Sequence, residues 1–376
     1  MAVRTTCLYS WSSKAYPARQ LRRLIAGASL TLLASIILTI YLSPFGYMMT
    51  TAFKDRQMMA RPGAPLWPAV EATYTYQGEE MVFKVGKNEW KIVPGEKYPL
   101  YYVPLERGTR KLALVVKGRD ESYFLDPEQP EKGLIRWEGN WRTLKVVWEF
   151  RPKWENLTKA WREINFPRML RNTIIIALVG AIGTTISSTL VAYGFSRFRF
   201  PARNLLFIIL IGTIILPGQV TLVPIYAFFT RIGWVGTFLP LTVPHFFANA
   251  YNVFLLRQFF LTVPKELDEA AMIDGAGPFR ILISVLLPQV LPAITTVFLF
   301  HFLWAWNDYF YPYIYLAAKP ELQPISVGIY TYNAMYFAQP HMIQTTALMG
   351  LVLPVIIFFL AQRTIMRGVV ITGIEK

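Results

Sequence analysis

Six long apolar windows without an acidic or basic charge constrain this chain more than any other feature. A helix that crosses about 30 Å of hydrocarbon needs about 20 mostly apolar residues, and all six windows reach that length. Only an α-helix or a closed barrel satisfies its backbone in lipid, and these windows are too long and too continuous for barrel strands. The sequence therefore predicts six transmembrane helices, at Leu24–Phe53, Asn172–Ser196, Asn204–Thr230, Ile232–Leu256, Ile281–Asn307 and within Leu322–Gln362, where Thr345–Ala361 is the best segment.

The composition supports a membrane protein and argues against other classes. Only 16% of the 376 residues are charged, whereas a soluble domain carries about 25%. The net charge of +15 would suit a nucleic-acid partner, but the basic residues are not gathered on one soluble domain, so we expect no such partner. The single cysteine, Cys7, excludes an internal disulfide, and three widely spaced histidines form no ligand pattern. We therefore expect neither a metal nor another cofactor.

The distribution of basic residues predicts the orientation in the membrane. The leader at 1–23, the loops after the second and fourth windows and the tail at 367–376 are rich in Lys and Arg, whereas the turns after the third and fifth windows carry few. Because basic loops favour the cytoplasm, we expect a multi-pass protein of the cell (inner) membrane with both termini cytoplasmic. The window at 24–53 is too long for a signal-peptide core and has no A-x-A cleavage site at its end, so we expect it to be retained.

A charged segment at 54–168 separates the first two windows and should lie outside the cytoplasm. It contains β-rich runs such as PLYYVPL and KLALVV, which turn signals separate. We therefore predict an all-α polytopic membrane protein with an extracytoplasmic β-rich insert, whose small β domain occupies about 70–150, and a membrane core at 169–366. Five of the seven tryptophans in the insert suit either a core and interface belt or a face that stacks on sugar or binds a partner: Trp90, Trp137, Trp141, Trp148 and Trp154.

The segment at 261–283 interrupts the membrane core with PKELDEAAMIDGAGPF. A proline and three acids suit the first turn of a helix, and two alanines favour its continuation. Gly275 and Gly277 end it before Pro278 starts the next helix. The pattern predicts a short helix outside the bilayer, whose alanines let another surface approach closely and whose Glu269 offers a carboxylate to a basic partner. An ordinary capped loop helix is the alternative interpretation.

The stretch EAAMIDGAGPFRILISVLLPQVLPAI resembles the EAA signature of permease subunits in binding-protein-dependent ATP-binding-cassette importers. The matching positions are Glu269, Ala270, Ala271, Gly275 and Leu287-Pro288, and DGA at 274–276 is similar to the carbohydrate-uptake branch. Further stretches, AYGFSRFRF, LPGQVTLVPIYAFFTRIGWVGTFLPL and WAWNDYF, resemble the second permease of maltose-type transporters. The likeness covers about 166–376 and the first span.

The resemblance implies a transport subunit rather than an enzyme. In this family the EAA helix couples transport to a separate ATP-hydrolysing subunit, and this chain has no G-x-x-x-x-G-K-[ST] with which to bind ATP itself. The implied partners are a sister permease, two ATP-binding subunits and an extracytoplasmic substrate-binding protein, within the lipid bilayer. The tail at 367–376 is similar to a family tail that reaches the ATP-binding dimer. The implied ATPase-coupling residues are Glu269, Ala270, Ala271, Asp274, Gly275 and Ala276.

A sugar or related solute is the expected substrate. Sugars need hydrogen-bonding groups for their hydroxyls and aromatic faces for their C–H surfaces. Tryptophans at a membrane interface are the competing explanation for some of the candidate residues. The candidates for the substrate pathway are Asn249, Asn252, Trp304, Trp306, Asn307 and Asp308.

Two further expectations concern function and the insert. The alternative function is an ion-coupled secondary transporter of a small polar solute, a class that usually places acidic residues in mid-membrane, where these windows have none. The insert is longer than the usual first outer loop of the family. We expect it to meet the substrate-binding protein or the outer domain of the sister permease.

Overall fold

The chain has 376 residues, and the computed structural model describes most of them. Residues 1–14 of the predicted leader and 372–376 of the predicted tail lie outside the described residues. The described ranges are 15–61, 63–78, 80–85, 88–105, 108–333 and 338–371.

Helices dominate the described chain, and short 3₁₀ or π turns connect several of them. The helices are α1 (Ala15–Ala52), α2 (Arg56–Met59), α3 (Glu155–Glu163), α4 (Phe166–Arg197), α5 (Arg203–Gly212), α6 (Gly218–Arg231), α7 (Leu239–Thr242), α8 (Ala250–Thr262), α9 (Glu266–Ile273), α10 (Pro278–Ile281), α11 (Leu287–Asn307), α12 (Phe310–Tyr315), α13 (Ile325–Thr331) and α14 (Pro340–Ile371). The 3₁₀ turns span Pro130–Lys132, Trp141–Thr143, Thr213–Ile215, Val243–Phe247 and Pro320–Leu322, and a π turn spans Leu282–Leu286.

Four helices in the described residues are long and apolar enough to cross a membrane. A bent pair, Arg203–Ile215 and Gly218–Arg231, meets at 97° and gives a fifth crossing if it counts as one span. The bend follows from Pro217, which has no N–H to continue a helical ladder. The four helices are Leu21–Ala52, Phe166–Arg197, Pro278–Asn307 and Pro340–Gln362.

The predicted fourth window, Ile232–Leu256, does not form one helix. It contains α7, the 3₁₀ turn Val243–Phe247 and the start of α8. Pro240 and Pro244 each remove a backbone donor, and Ala248 has a positive φ of 53° that no right-handed helix accommodates. The prediction of six continuous membrane helices is therefore not confirmed, because hydrophobicity alone does not register these breaks.

The described residues between α2 and α3 form ten strands of the insert. Five of them form an antiparallel sheet in the order β2-β5-β6-β7-β8, and β9 pairs with β5. The strands are β1 (Ala69–Glu71), β2 (Thr73–Thr75), β3 (Met81–Val85), β4 (Asn88–Ile92), β5 (Lys97–Leu105), β6 (Gly108–Val116), β7 (Glu121–Leu125), β8 (Leu134–Glu138), β9 (Lys145–Val146) and β10 (Trp148–Phe150).

The insert sheet is covered on both faces. Successive residues of a strand point to opposite faces, and on β6 Ala113 joins a core cluster with Ile92, whereas Leu112 and Leu114 join another with Phe124. Two of the five tryptophans, Trp137 and Trp141, pack against the second cluster. Burial of both sheet faces gives this short domain its own core.

The insert is joined to the membrane helices by hydrogen bonds to the end of α1. The Asn156 side-chain amide donates to the carbonyls of Ala52 (2.8 Å) and Lys54 (3.0 Å). Thr345 Oγ1 of α14 donates to the same Ala52 carbonyl at 2.8 Å. The last carbonyls of a helix have no partner within it, so these donors satisfy groups that would otherwise be buried and unpaired.

Candidate functional site: helix α9 and the transmembrane cavities

The short helix α9 begins and ends where its sequence dictates. Glu266, Asp268 and Glu269 occupy its first turn, where the helix dipole favours negative charge. Its end is marked by Gly275, whose φ of +80° is unfavourable for residues with a side chain. The Ala276 amide donates to the Ala271 carbonyl at 2.9 Å and closes the turn.

A buried ion pair fixes α9 to the end of α4. Arg197 Nε lies 2.8 Å from Asp268 Oδ2, and the two side chains are 6% and 10% exposed. Burial raises the pKa of the Asp268 carboxyl, and the charge of Arg197 opposes that shift. Arg197 Nη2 also donates to the Val263 carbonyl at 2.9 Å.

The end of α4 also holds the chain that follows α9. Tyr193 Oη donates to the Pro278 carbonyl at 2.9 Å. Together with the Arg197 contacts, this bond places anchors from one helix on both sides of α9. Helix α9 is therefore tied to the end of α4 on both sides.

The six predicted coupling residues do not all face the same way. Glu269, Ala270, Asp274 and Gly275 are exposed, whereas Ala271 and Ala276 pack against the core beneath the helix. Among the described residues, Asp268 is the only residue of α9 that forms an ion pair, so the Glu269 carboxylate is available to a basic residue of a partner protein.

Sequence reasoning missed the apolar part of this surface. Met272, Ile273 and Phe279 are 56%, 87% and 67% exposed. The available signal was the position of these apolar side chains close to an acidic first turn. Exposed apolar side chains at the end of a loop helix indicate a surface that contacts another protein. We call Glu269, Met272, Ile273 and Phe279 the α9 surface.

A cavity of about 340 Å³ within the membrane bundle joins three of the predicted substrate residues. It is lined by Asn249, Asn252 and Trp304, together with His245 and His301. The two imidazole rings lie 4.4 Å apart between centroids, and the indole centroid lies 5.5 Å from the nearer ring. The arrangement offers amides, imidazoles and an aromatic face, which suit a polar, hydroxyl-bearing solute.

The other three predicted residues lie elsewhere. Asp308 lines a neighbouring cavity of about 280 Å³, which shares Trp304 and His245 with the first. Trp306 and Asn307 instead line a separate cavity of about 370 Å³. Trp306 is also buried in the hydrophobic core, which gives it a packing role.

The histidines were noted in the sequence but not included among the candidate site residues. Ionisable residues are rare within membrane segments and usually face a cavity or a partner, and that was the available signal. Thr184 of α4 approaches His301, with 3.4 Å between the hydroxyl oxygen and Nδ1. A Cβ at Gly180 would lie 2.9 Å from His301 Nε2, so this glycine permits the close approach.

The bundle of apolar helices, the polar cavities inside it and the exposed short helix α9 define a multi-pass membrane protein of the transport class. Residues 185–369 match the family described as binding-protein-dependent transport system inner membrane component. The chain belongs to this family. It is the membrane permease of an ATP-binding-cassette importer of solutes and not an enzyme, so the ion-coupled alternative is not supported.

Curated relatives support this assignment. The sn-glycerol-3-phosphate transport system permease protein UgpE of Rhizobium meliloti is 34% identical over 211 residues, which cover 56% of this chain and 74% of the relative. The osmoprotective compounds uptake permease protein GgtD of Synechocystis is 30% identical over 209 residues, 54% of this chain and 69% of the relative.

A solved structure shares the fold over nearly the whole chain. It is a chain of a bacterial ATP-binding-cassette transporter involved in the import of the acidic polysaccharide alginate, with a TM-score of 0.58. The match covers 95% of this chain and 99% of that one at 17% sequence identity. The likeness therefore extends through the insert as well as the membrane helices.

Proposed function

We propose that this permease moves a sugar or related solute inward and that ATP-hydrolysing partner subunits drive it through α9. The observation that carries the proposal is the α9 surface, an exposed carboxylate beside exposed apolar side chains on a helix fixed to the bundle by a buried ion pair. The relatives are named for glycerol phosphate and osmoprotective compounds, both small polar solutes. Such solutes suit the amide- and aromatic-lined cavity around Trp304.

In this proposal α4 carries motion from the α9 surface to the cavity. Its Arg197 contacts α9, and its Thr184 contacts His301 at the cavity wall. These two residues are 13 positions apart, which is about 20 Å along a helix that rises about 1.5 Å per residue. A continuous helix is stiff over that length, so movement of one end shifts the other.

The proposed topology has six crossings with both termini in the cytoplasm. The broken segment from α7 to α8 completes the sixth crossing, since irregular backbone is tolerated in a membrane where it is buried in protein. The basic residues around α9, including Arg257, Lys265 and Arg280, favour the cytoplasmic side. The insert then lies on the opposite side, where the expected substrate-binding protein would meet it.

The proposed assembly contains a sister permease, two ATP-binding subunits and a substrate-binding protein. The span in α1 has no buried residues in its most apolar window, and its exposed side chains suit lipid or the sister permease. The proposed ATPase contact consists of Glu269, Ala270, Asp274 and Gly275 at the surface with Ala271 and Ala276 beneath, and residues 367–376 could extend it. We propose no cofactor for this chain, because ATP would be bound by the partner.

Copurification tests the proposal. The full chain is expressed in membranes with its partner subunits, and ATPase activity is measured in the purified complex. Ile273→Asp buries a charge in the proposed contact, and Glu269→Lys reverses its carboxylate, so we expect each to lower copurified ATPase activity by tenfold or more, a loss of about 1.4 kcal/mol in affinity.

The matched control is Glu131→Lys, a charge reversal at an exposed position of the insert. It should retain wild-type ATPase activity. If Ile273→Asp and Glu269→Lys also retain it, α9 does not hold the ATP-hydrolysing subunit and the proposal fails. Uptake of labelled glycerol 3-phosphate and of neutral sugars into vesicles then tests the substrate class separately.

A further inference from the structure

A cavity in the insert is separate from the transmembrane cavities. Its volume is about 810 Å³, within the range of about 300–1,000 Å³ that small-molecule sites occupy. It lies where the segment after α2 meets β5, β9 and the 3₁₀ turn Trp141–Thr143. We call it the insert cavity. Its aromatic and basic lining residues are Arg61, Tyr102, Trp141, Arg142, Lys145 and Trp148.

Strand register places basic residues on both sides of one aromatic ring. Tyr102 on β5 is paired with Lys145 on β9 and with Lys111 on β6. Residues directly opposite each other on paired strands share a face of the sheet. Lys111 Nζ lies 5.8 Å from the Tyr102 ring centroid, so the tyrosine is flanked by two cations.

A second aromatic ring has a similar environment. Lys117 Nζ lies 5.7 Å and the Arg142 guanidinium carbon 5.2 Å from the Trp141 ring centroid. Trp141 itself packs against Tyr101, with centroids 6.0 Å apart, so its ring is held by the core of the insert. The cavity therefore presents a positioned indole edged with positive charge.

Most of the cations around the insert cavity have no acidic partner in the described part of the insert; the exception is Arg61, whose Nε lies 2.7 Å from Glu71 Oε1. Among the described residues, Lys111, Lys117, Arg142 and Lys145 form no ion pair, whereas Arg110 and Arg136 of the same domain each have an acidic partner. The described residues that line the cavity include no Asp or Glu. Arg142 and Lys145 thus line the concave site without an acidic partner in the described part of the chain, so an anionic ligand would be favoured there.

We infer that the insert cavity binds an anionic oligosaccharide, a carbohydrate that carries carboxylate groups. The aromatic planes of Tyr102, Trp141 and Trp148 suit the C–H faces of sugar rings. The Arg142 guanidinium and the Lys145 ammonium donate charge-assisted hydrogen bonds to carboxylates. A neutral sugar would use the aromatic planes but leave the cations unpaired. The inference does not depend on α9 or on an ATPase partner.

Binding to the full-length chain in lipid nanodiscs tests the inference. Trigalacturonate is the anionic probe, maltotriose is a neutral sugar of the same length, and a glutamate peptide supplies carboxylates without sugar rings. Calorimetry should give trigalacturonate at least tenfold tighter binding than either comparison ligand, weakening as salt rises. Lys145→Gln and Arg142→Gln should each weaken it by about tenfold, as loss of one charge-assisted bond does.

Two further variants separate binding from folding. Tyr102→Leu removes a partly exposed ring and should weaken both sugars without unfolding the insert, whereas Trp141 also supports the core and is left intact. Lys132→Gln neutralises an exposed cation that does not line the cavity and should leave affinity unchanged. Equal binding of maltotriose or of the glutamate peptide overturns the inference, as does affinity that is insensitive to Lys145→Gln and Arg142→Gln.

Discussion

Substitution of Asp268 by Asn tests whether α9 is held in place by its buried ion pair. The change keeps the size of the side chain and removes its charge, which leaves the Arg197 guanidinium buried beside a neutral amide. Removing one partner of a buried ion pair costs up to about 3–5 kcal/mol, because the other charge loses its compensation; the burial that raises the pKa of Asp268 favours a neutral side chain and offsets part of that cost. The side chains are 6% and 10% exposed, so solvent does little to screen that loss.

The expected consequence is more frequent detachment of α9 from the end of α4. A change of about 1.4 kcal/mol is tenfold in an equilibrium constant, so the full cost corresponds to roughly a hundredfold or more. Hydrogen exchange of the full chain in nanodiscs measures it directly. The Glu269 and Asp274 amides, which donate to the Lys265 and Ala270 carbonyls at 3.1 Å each, should exchange faster by about that factor.

Two comparison variants make the measurement decisive. Glu266→Gln removes an exposed carboxylate from the same first turn and should change exchange only slightly, since it has the dipole interaction but not the ion pair. The double variant Arg197→Met with Asp268→Leu removes both charges and should recover much of the protection. Exchange in Asp268→Asn equal to that in Glu266→Gln would refute the anchoring role.

Three other perturbations test the contacts between the insert and the membrane helices and the glycine that ends α9. Burial alone would raise the pKa of Asp55, but hydrogen bonds from Lys153 and a backbone amide outweigh burial and lower that pKa. The resulting stabilisation is present above the ordinary carboxyl pKa and is lost as the pH falls through the lowered pKa of Asp55. The acid-dependent drop in melting temperature should therefore shrink in Lys153→Met, and parallel pH profiles of the variant and the wild type would contradict this role of Lys153. Asn156→Ala loses two hydrogen bonds to carbonyls at the end of α1 and just after it, and it should lower the free energy of unfolding by about 1–3 kcal/mol. The control Lys159→Ala, on the exposed face of α3, should leave the free energy of unfolding unchanged. Equal melting temperatures of the two variants would contradict this role of Asn156. Gly275→Ala places a Cβ at a φ of +80° and should destabilise the end of α9 by about 1–2 kcal/mol, seen as roughly tenfold faster exchange of the Ala276 amide; unchanged exchange would argue against a left-handed cap.

Local patterns in the sequence were sufficient for the helices with uninterrupted apolar windows and for α9. Propensity, dipole and glycine signals all act within a few residues, so they can be read without tertiary structure. For this reason the window at 172–196 lies within α4, and the window at 281–307 lies within the continuous helical segment Pro278–Asn307, which contains one π turn. Pro240 and Pro244 were equally visible, but a hydrophobic window counts them as neutral and so missed the break.

Contacts between distant parts of the chain were beyond such reasoning. Arg197 and Asp268 are 71 positions apart, and neither forms a local motif that predicts the other. The substrate candidates were grouped by residue type near the ends of windows, which cannot reveal the direction in which each side chain points. Trp304 and Trp306 differ by two positions, about 200° around a helix with 3.6 residues per turn, and therefore line different cavities.

The break between α7 and α8 is tolerated because α4 supplies polar partners to it. Ser187 Oγ donates to the His245 carbonyl and accepts from the Ala248 amide, both at 3.1 Å. In lipid, an unsatisfied backbone group costs several kcal/mol, so irregular backbone is stable there only where protein groups satisfy it. A Cβ at Gly183 would lie 2.6 Å from the Phe246 ring, so α4 also gives the break room to approach. The helix fixed to α9 is thus the one that holds the irregular wall of the polar cavity, and a shift of α4 must change that wall.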